Sequence, residues 1–396
     1  MASVVYVDGI AELERELAQR SAAGLSRTRH IIDSPQGPRL SLGGRTLLSF
    51  ASNDYLGLAN APSIADAACD TIRRFGVGAG ASHLIVGHSR PHETLEDELA
   101  AYVAPCDGAC ALTFSSGYLA NLAILTALAS RNDAIFADRL NHACLTDGAL
   151  LSRARLARYR HCDVGGLTRL LEVATERRRF IVTDAVFSMD GDLAPLPELL
   201  QLADRFDAWL VVDDAHGFGV LGAGRGTLAH FGLRSERIVY MGTLGKAAGV
   251  AGAFVAAHGA VIETLLQMAR PYIYTTAAPP ALAAAVSAAL KSIRTDEFRR
   301  AQLADVIARF REGAKRLPWT LPATSTPIQP LIVGDVGTAV TISDALLARG
   351  ILVPAIRPPT VPAGTARLRI SLSAAHTRDD VDALVAALRD VASRFA

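Results

Sequence analysis

Cysteine is sparse in this chain: Cys69, Cys106, Cys110, Cys144 and Cys162 make five in 396 residues. An odd, scattered set of this kind excludes a disulfide framework. Cys106 and Cys110 are spaced Cys-x-x-x-Cys with no second pair, so neither a structural zinc nor any other metal is expected. Charge of one sign is lacking too, with 40 basic against 39 acidic residues. Phosphate binding draws on a strong basic excess, which excludes nucleic acid as the main partner. The cluster Arg153, Arg155, Arg158, Arg160 and the run Arg177-Arg178-Arg179 are local exceptions. They read as solvated faces, although either could meet an anionic substrate. No run of 18 uninterrupted apolar residues occurs, so no membrane span is expected. Met1 to Leu17 carries Asp8, Glu12, Glu14, Arg15 and Glu16, which reads as an amphipathic helix start and not a signal peptide. The expected location is the cytoplasm. No repeat period and no low-complexity segment is visible.

Half of the residues are hydrophobic and a fifth are charged, which is the composition of a soluble globular protein. The length allows two or more domains. Residues 1–45 read as an N-terminal arm with a helix from Ile10 to about Ala22 and a turn at Pro35-Gln36-Gly37-Pro38. Short apolar runs then alternate with helical periodicity. Expected strands are Ala111–Phe114, Ala134–Ala137, Phe180–Thr183, Leu210–Val212, Ile238–Met241 and Gly252–Ala256, with helices such as Tyr118–Ala129 and Leu196–Phe206 between them. The fold class is therefore α/β, a large domain (46–285) around a mainly parallel sheet. Residues 286–396 follow as a smaller α+β domain, with a helix over Arg299–Arg316, strands around Ile328–Val333 and Arg367–Ser371, and a last helix from Arg378.

Candidate chemistry sits after the strands. Ile238–Met241 runs into Gly242-Thr243-Leu244-Gly245-Lys246, and Trp209–Val212 runs into Asp213-Asp214-Ala215-His216. A lone lysine is usually solvated. An amine, a carboxylate and a histidine at adjacent strand ends instead point to carbonyl chemistry with an electron-sink cofactor. Ser115-Ser116-Gly117-Tyr118 opens a helix, where free N–H groups favour a phosphate; simple capping by serine is compatible with that. Asn141-His142 and Ser188-Met189-Asp190-Gly191-Asp192 add polar groups after two further strands, although each alone reads as a structural histidine or an acidic turn. Gly217-x-Gly219-x-x-Gly222 matches a dinucleotide fingerprint, but loop residues follow where a helix should open, so a dinucleotide module is disfavoured. Gly76 to His83 reads as a flexible loop lining a pocket.

The motifs Ser52-Asn-Asp-Tyr-Leu-Gly57, Phe114-Ser-Ser-Gly-Tyr-Leu-Ala-Asn121, Asn141-His-Ala143, Phe187-Ser-Met-Asp-Gly-Asp192, Asp213-Asp-Ala-His-Gly217, Gly242-Thr-Leu-Gly-Lys246 and Ala355-Ile-Arg-Pro-Pro-Thr-Val-Pro362 span nearly the whole chain. Together they resemble the α-oxoamine synthase family of pyridoxal-phosphate (PLP) enzymes. That resemblance implies the fold type I of PLP-dependent transferases. It implies that Lys246 bonds the cofactor and then moves protons, that Asp213 pairs with the pyridine nitrogen, and that His216 meets the ring 3-oxygen with Ser188 nearby. His142 would stack on the ring and assist decarboxylation. Gly117, Tyr118 and Thr243 would bind the phosphate, completed by Thr275 or Thr276 of a neighbouring subunit in a homodimer. Arg357 would clamp the amino-acid carboxylate, and Asn53, Thr360 and Arg27 (with Arg29 the neighbouring alternative) would meet substrate.

The activity implied is decarboxylative acyl transfer. L-alanine would condense with a pimeloyl thioester, on CoA or a carrier protein, with release of carbon dioxide and thiol. Arg357 to Pro362 resembles the oxononanoate-forming branch more than the glycine acetyltransferase or aminolevulinate-forming branches. Leu244 is shared with the glycine-using branch, which keeps glycine acetyltransferase as the alternative. Asp184 stands where relatives often carry glutamate, which implies a shorter contact there.

Overall fold

Seven strands with apolar residues on both faces make the central sheet of this computed structural model, which describes residues 9–22, 25–27 and 29–393. Asp8 and the rest of residues 1–8 lie outside the described residues. The strands, in chain order, are β1 (Arg39–Leu42), β2 (Arg45–Ser49), β3 (Ala109–Phe114), β4 (Ala134–Asp138), β5 (Arg155–Tyr159), β6 (Arg179–Asp184), β7 (Ala208–Asp213), β8 (Ile238–Thr243), β9 (Ala253–His258), β10 (Ile328–Gly334), β11 (Ile351–Leu352), β12 (Ala355–Ile356) and β13 (Ala366–Ser371). The central sheet has the order β3-β9-β8-β7-β6-β4-β5. Neighbours from β8 to β5 are parallel, and β9 alone is reversed, antiparallel to both β8 and β3.

The two-residue period of the strands divides their side chains between two cores. Phe136, Ile181, Leu210, Val212 and Tyr240 pack on one face, and Ile135, Phe180, Val182, Val211 and Val239 on the other. The helices that cover these faces include Gly117–Leu128, Ala143–Ser152, Leu196–Arg205 and Pro280–Thr295. The six strands expected from sequence are all present, each within two residues of its expected ends. The strand β5 was not expected, because Arg-Leu-Ala-Arg-Tyr carries two arginines and lacks the continuous apolar run of a core strand. It is an edge: it pairs with β4 alone. Two of the arginines read as a solvated face are thereby tied down, Arg155 to Glu176 and Arg158 to the carbonyl of Arg139 at 2.6 Å.

The C-terminal part holds an antiparallel sheet, β10-β13-β12, with helices Glu297–Ala314, Val336–Ala348 and Arg378–Ala392. The hairpin β1–β2 is joined by β11, parallel to β2, so residues 45–49 lie against 351–352. From there residues 50–55 run past the end of β13, along residues 371–374: Ser371 N–H donates to Phe50 O at 2.8 Å and Ala374 N–H to Tyr55 O at 2.8 Å. This lays Asn53 and Tyr55 across the gap between the two sheets. No described helix is long and apolar enough to cross a membrane.

A histidine clamp fixes the loop after β6. His161 Nε2 lies 2.7 Å from Asp192 Oδ2, and its Nδ1 lies 3.2 Å from Asp138 Oδ1. Its ring meets Phe187 edge-on, with centroids 4.3 Å apart. Burial by itself would lower the ring's pKa, but the hydrogen bonds to Asp138 and Asp192 outweigh it and push it up to about 12. The folded value exceeds the ordinary 6.5, so the stabilisation is complete below about pH 6.5 and declines as pH rises toward 12. Urea unfolding should therefore show wild type well above His161→Gln near pH 6. The gap should narrow near pH 9, at up to about 1.4 kcal/mol per pH unit. A gap of equal size at both pH values would remove the charge as its source.

Candidate active site

The parallel strands deliver their C-terminal ends to one edge of the sheet, the usual place for ligands in an open α/β fold. The strand β8 ends at Thr243, and a tight loop follows in which Leu244 N–H donates to Gly252 O and Val250 N–H to Leu244 O, each at 2.9 Å. Gly249 closes that loop at φ +69°, and a Cβ there would fall 2.4 Å from Ala59 N, so no larger residue fits. The loop holds Lys246, one of three lysines in the chain; the other two, Lys291 and Lys315, lie in or just beyond helices remote in sequence.

Lys246 heads a directional chain of hydrogen bonds. Its Nζ is 2.8 Å from His216 Nε2, and His216 Nδ1 is 2.7 Å from the Tyr55 hydroxyl. Tyr55 donates to Asn53 Oδ1 at 3.1 Å, and Arg369 donates to the same oxygen at 3.2 and 3.3 Å. Burial drives His216 well below the usual histidine range, and the charges of Lys246 and Arg369 push the same way. The ring is thus neutral, with one N–H for Tyr55 and one lone pair for Lys246. Burial also lowers the Lys246 amine, against the pull of Asp213 and Asp184. Arg369 donates further to Ser188 O at 2.6 Å and to Ser371 Oγ at 2.7 Å.

The two aspartates after β7 have different tasks. Asp213 is 3% exposed and accepts from Asn121 Nδ2 at 2.7 Å and from Ala215 N–H at 3.0 Å. Asn121 Oδ1, on the same amide, is buried with no partner among the described residues, an open acceptor close to Asp213. Asp214 turns into the protein, where it accepts from Thr227 N–H at 2.7 Å and Tyr240 OH at 2.8 Å, and burial pushes it up to about 7. Asp184, at the end of β6, accepts His142 N–H at 2.6 Å. Burial first, and the charge of Asp213 second, raise it well above the carboxylate range.

At the start of helix Gly117–Leu128, Ser116 Oγ accepts from Leu119 N–H at 3.3 Å. A Cβ on Gly117 would come within 4.0 Å of Thr243 Oγ1, which places the free helix N-terminus beside Thr243. Thr275 and Thr276 border a small cavity together with Ser115 and His83, and Ser82 forms a β-bridge with Thr276. The glycine loop thus ends at that cavity through His83. Tyr118 is partly exposed and its hydroxyl donates to Asp147.

His142, Ser188 and Thr360 line a cavity of about 560 Å³. A second cavity of about 520 Å³ meets it at Pro359 and Thr360 and is lined by Arg20, Arg27, His30 and Arg357. Arg357 therefore faces a basic chamber, whereas the arginine bonded into the Lys246 chain is Arg369. Arg29 is exposed and lines neither of these two cavities. Gly217 to Gly222 folds into successive turns, and the next α-helix, Thr227–Phe231, opens five residues beyond the motif, so the dinucleotide reading does not hold.

Sequence reasoning gave no role to Arg369, Tyr55, Asn121 or Cys144. Arg369 had one usable signal: Arg367-Leu-Arg369 places two arginines on one face of a strand that the structure buries, at 2% and 6% exposure. The donor set fits pyridoxal phosphate. A depressed amine, a buried carboxylate, a neutral histidine and a free helix N-terminus beside a threonine converge without a blocking side chain at Gly117.

Comparisons with known proteins support the same cofactor. Residues 45–388 match the family described as aminotransferase class I and II. The chain is 58% identical over 388 residues to 8-amino-7-oxononanoate synthase of Nitrosomonas europaea, covering 97% of this chain and 99% of that one. Among solved structures it is similar to 8-amino-7-oxononanoate synthase from Francisella tularensis, with TM-score 0.76, 32% identity, and coverage of 88% of this chain and 99% of that one. It is also similar to SPT with PLP as the internal aldimine, with TM-score 0.89, 28% identity, and coverage of 98% and 97%. The chain therefore belongs to the class I and II aminotransferase family, and within it to the 8-amino-7-oxononanoate synthases.

Proposed function

We propose that this chain is a PLP-dependent acyltransferase of biotin biosynthesis. It condenses L-alanine with a pimeloyl thioester, on CoA or a carrier protein, to give 8-amino-7-oxononanoate, carbon dioxide and free thiol. The observation that carries the reading is the depressed Lys246 amine against neutral His216, at the sheet edge that also holds buried Asp213.

Lys246, Asp213 and His216 would hold the cofactor's ring, with Ser188 beside it, and Gly117, Tyr118 and Thr243 its phosphate. When bound, the cofactor supplies an electron sink for the α-carbon of the amino acid. Lys246, made less basic by burial, takes the α-proton of alanine and later returns one. His216 stays neutral and is held by Tyr55, so it orients Lys246 without competing for its proton. Asp184 accepts from the backbone N–H of His142 and holds it in place. His142 lines the cavity next to Ser188 and provides a proton for the decarboxylation.

Two arginines share the anionic groups. Arg369, bonded to Asn53 and to the Ser188 carbonyl and close enough to act on His216 and Lys246, takes the alanine carboxylate in place of Arg357. Arg357 and Arg27 line the chamber that continues past Thr360, which suits the far carboxylate of a pimeloyl chain. A homodimer in the cytoplasm completes the reading. Val77, Ile85, Val86 and Tyr274 are each at least 70% exposed, apolar surface that a second copy would cover. That surface adjoins Thr275 and Thr276, which would complete the phosphate site of the partner.

The decisive assay is alanine-dependent thiol release from pimeloyl-CoA, with glycine as the comparison. Turnover with glycine and acetyl-CoA but none with alanine and pimeloyl-CoA would overturn the assignment. Lys246→Ala should lose the visible absorbance of the loaded protein and at least about 10²–10⁴-fold in rate. A variant that kept both would leave Lys246 without its role. Arg369→Lys should raise KM for alanine by about 10- to 100-fold. Arg357→Ala should instead raise KM for the pimeloyl thioester and leave alanine unaffected. The reverse pattern would return the alanine carboxylate to Arg357.

A further inference from the structure

Cys144 is buried in the first turn of helix Ala143–Ser152, and no step above uses it. Its surroundings are polar for a buried thiol. Its Sγ lies 3.1 Å from Asn121 Nδ2 and 2.8 Å from His142 Nδ1. The same Asn121 Nδ2 donates to Asp213 Oδ2 at 2.7 Å.

The direction of each bond follows from what each group can do. A carboxylate accepts only, so the nitrogen of the Asn121 amide, and not its oxygen, faces Asp213. That nitrogen also faces the sulfur, so Asn121 donates and Cys144 accepts. On the other side, Cys144 N–H donates to His142 Nδ1 at 3.3 Å, with His142 acting as the helix cap. A nitrogen that accepts from a backbone N–H carries a lone pair and no proton. The sulfur next to it therefore offers its own S–H. Burial, followed by the charge of Asp213, pushes the thiol up to about 12, so it keeps that proton at neutral pH.

We propose that Cys144, oriented by Asn121, is a positioning residue that fixes His142 in the tautomer with its proton on Nε2. The single lone pair of His142 Nδ1 is then shared by two donors, the Cys144 thiol at 2.8 Å and the Cys144 amide at 3.3 Å, and the ring is pinned at that end. The one N–H left to His142 is Nε2–H, which makes it a donor toward its cavity. The same Asn121 amide joins this arrangement to Asp213, so the group expected to meet the cofactor nitrogen and the histidine expected to serve the substrate are set by one hydrogen-bond run. The functional consequence rests on the proposed role of His142; the tautomer itself does not.

The test reads the tautomer directly, in the cofactor-free chain, from ¹⁵N spectra of protein labelled at histidine side chains, with His142→Gln identifying the signals. Wild type should show a protonated nitrogen at Nε2 and a bare one at Nδ1. Cys144→Ser retains a donor and should keep that pattern and a kcat within about twofold of wild type. Cys144→Ala and Cys144→Val lose the thiol donor and leave His142 Nδ1 only the longer amide contact at 3.3 Å; they should mix the two tautomers and lower kcat by about three- to tenfold, with KM for alanine unchanged. Valine fills the space, so it separates the donor from packing where alanine leaves a void. A proton on Nδ1 in wild type, or Ala and Val variants with unchanged signals and unchanged kcat, would overturn the proposal. A wild-type spectrum as expected, in a protein without alanine-dependent thiol release, would fault the proposed reaction and leave the positioning role standing.

Discussion

The hydrogen bond between Lys246 and His216 is the contact on which the rest of the site depends. It works because His216 is neutral: a buried imidazole beside an amine and an arginine cannot afford a charge. Neutrality gives the ring a single donor, which Tyr55 takes, and a single acceptor, which Lys246 uses. From Tyr55 the chain passes to Asn53 and Arg369, so the lysine after β8 is tied to an arginine on β13 through residues from two further parts of the chain. Disturbing any member alters the donor count of its neighbours, and a low local dielectric makes an unpaired group there costly.

The fold serves this contact by bringing the ends of the chain together. Residues 45–49 pair with 351–352, and 50–55 run along 371–374, so Asn53, Tyr55 and Arg369 approach the strand ends as one rigid layer. The His161 clamp secures the loop that carries Phe187 and Ser188, the same loop that Arg369 holds at the Ser188 carbonyl.

Negative charge near Asp213 is limited in a similar way. Burial raises the pKa of Asp184, which accepts from the backbone of His142, while Asp214 faces Tyr240 and Thr227. Of three aspartates within one or two strands, Asp213 alone combines a position at the strand end with the open acceptor of Asn121 beside it. Selectivity among chemically identical side chains comes here from desolvation and from which partners are already satisfied.

Much of this protein was legible in its sequence because local rules govern those parts. Apolar runs of five or six residues separated by helical periodicity give a buried parallel sheet, and the polar residues that follow each run must emerge at one edge. Lys246, Asp213, His216, His142 and Ser188 are placed by that rule alone. The strand β5 and the helix Val336–Ala348 escaped it, the first because an edge strand carries arginines, the second because its apolar residues are spread around the helix. What only the tertiary structure decided was pairing at long range. Arg369 and Arg357 sit twelve residues apart, each between apolar neighbours, and their immediate neighbours do not tell which one joins the chain to Lys246. Tyr55 and Cys144 look like ordinary core residues until His216 and His142 are set against them. The side-chain types came from the sequence; their partners came from the fold, because a hydrogen bond depends on distance and lone pairs that no single segment contains.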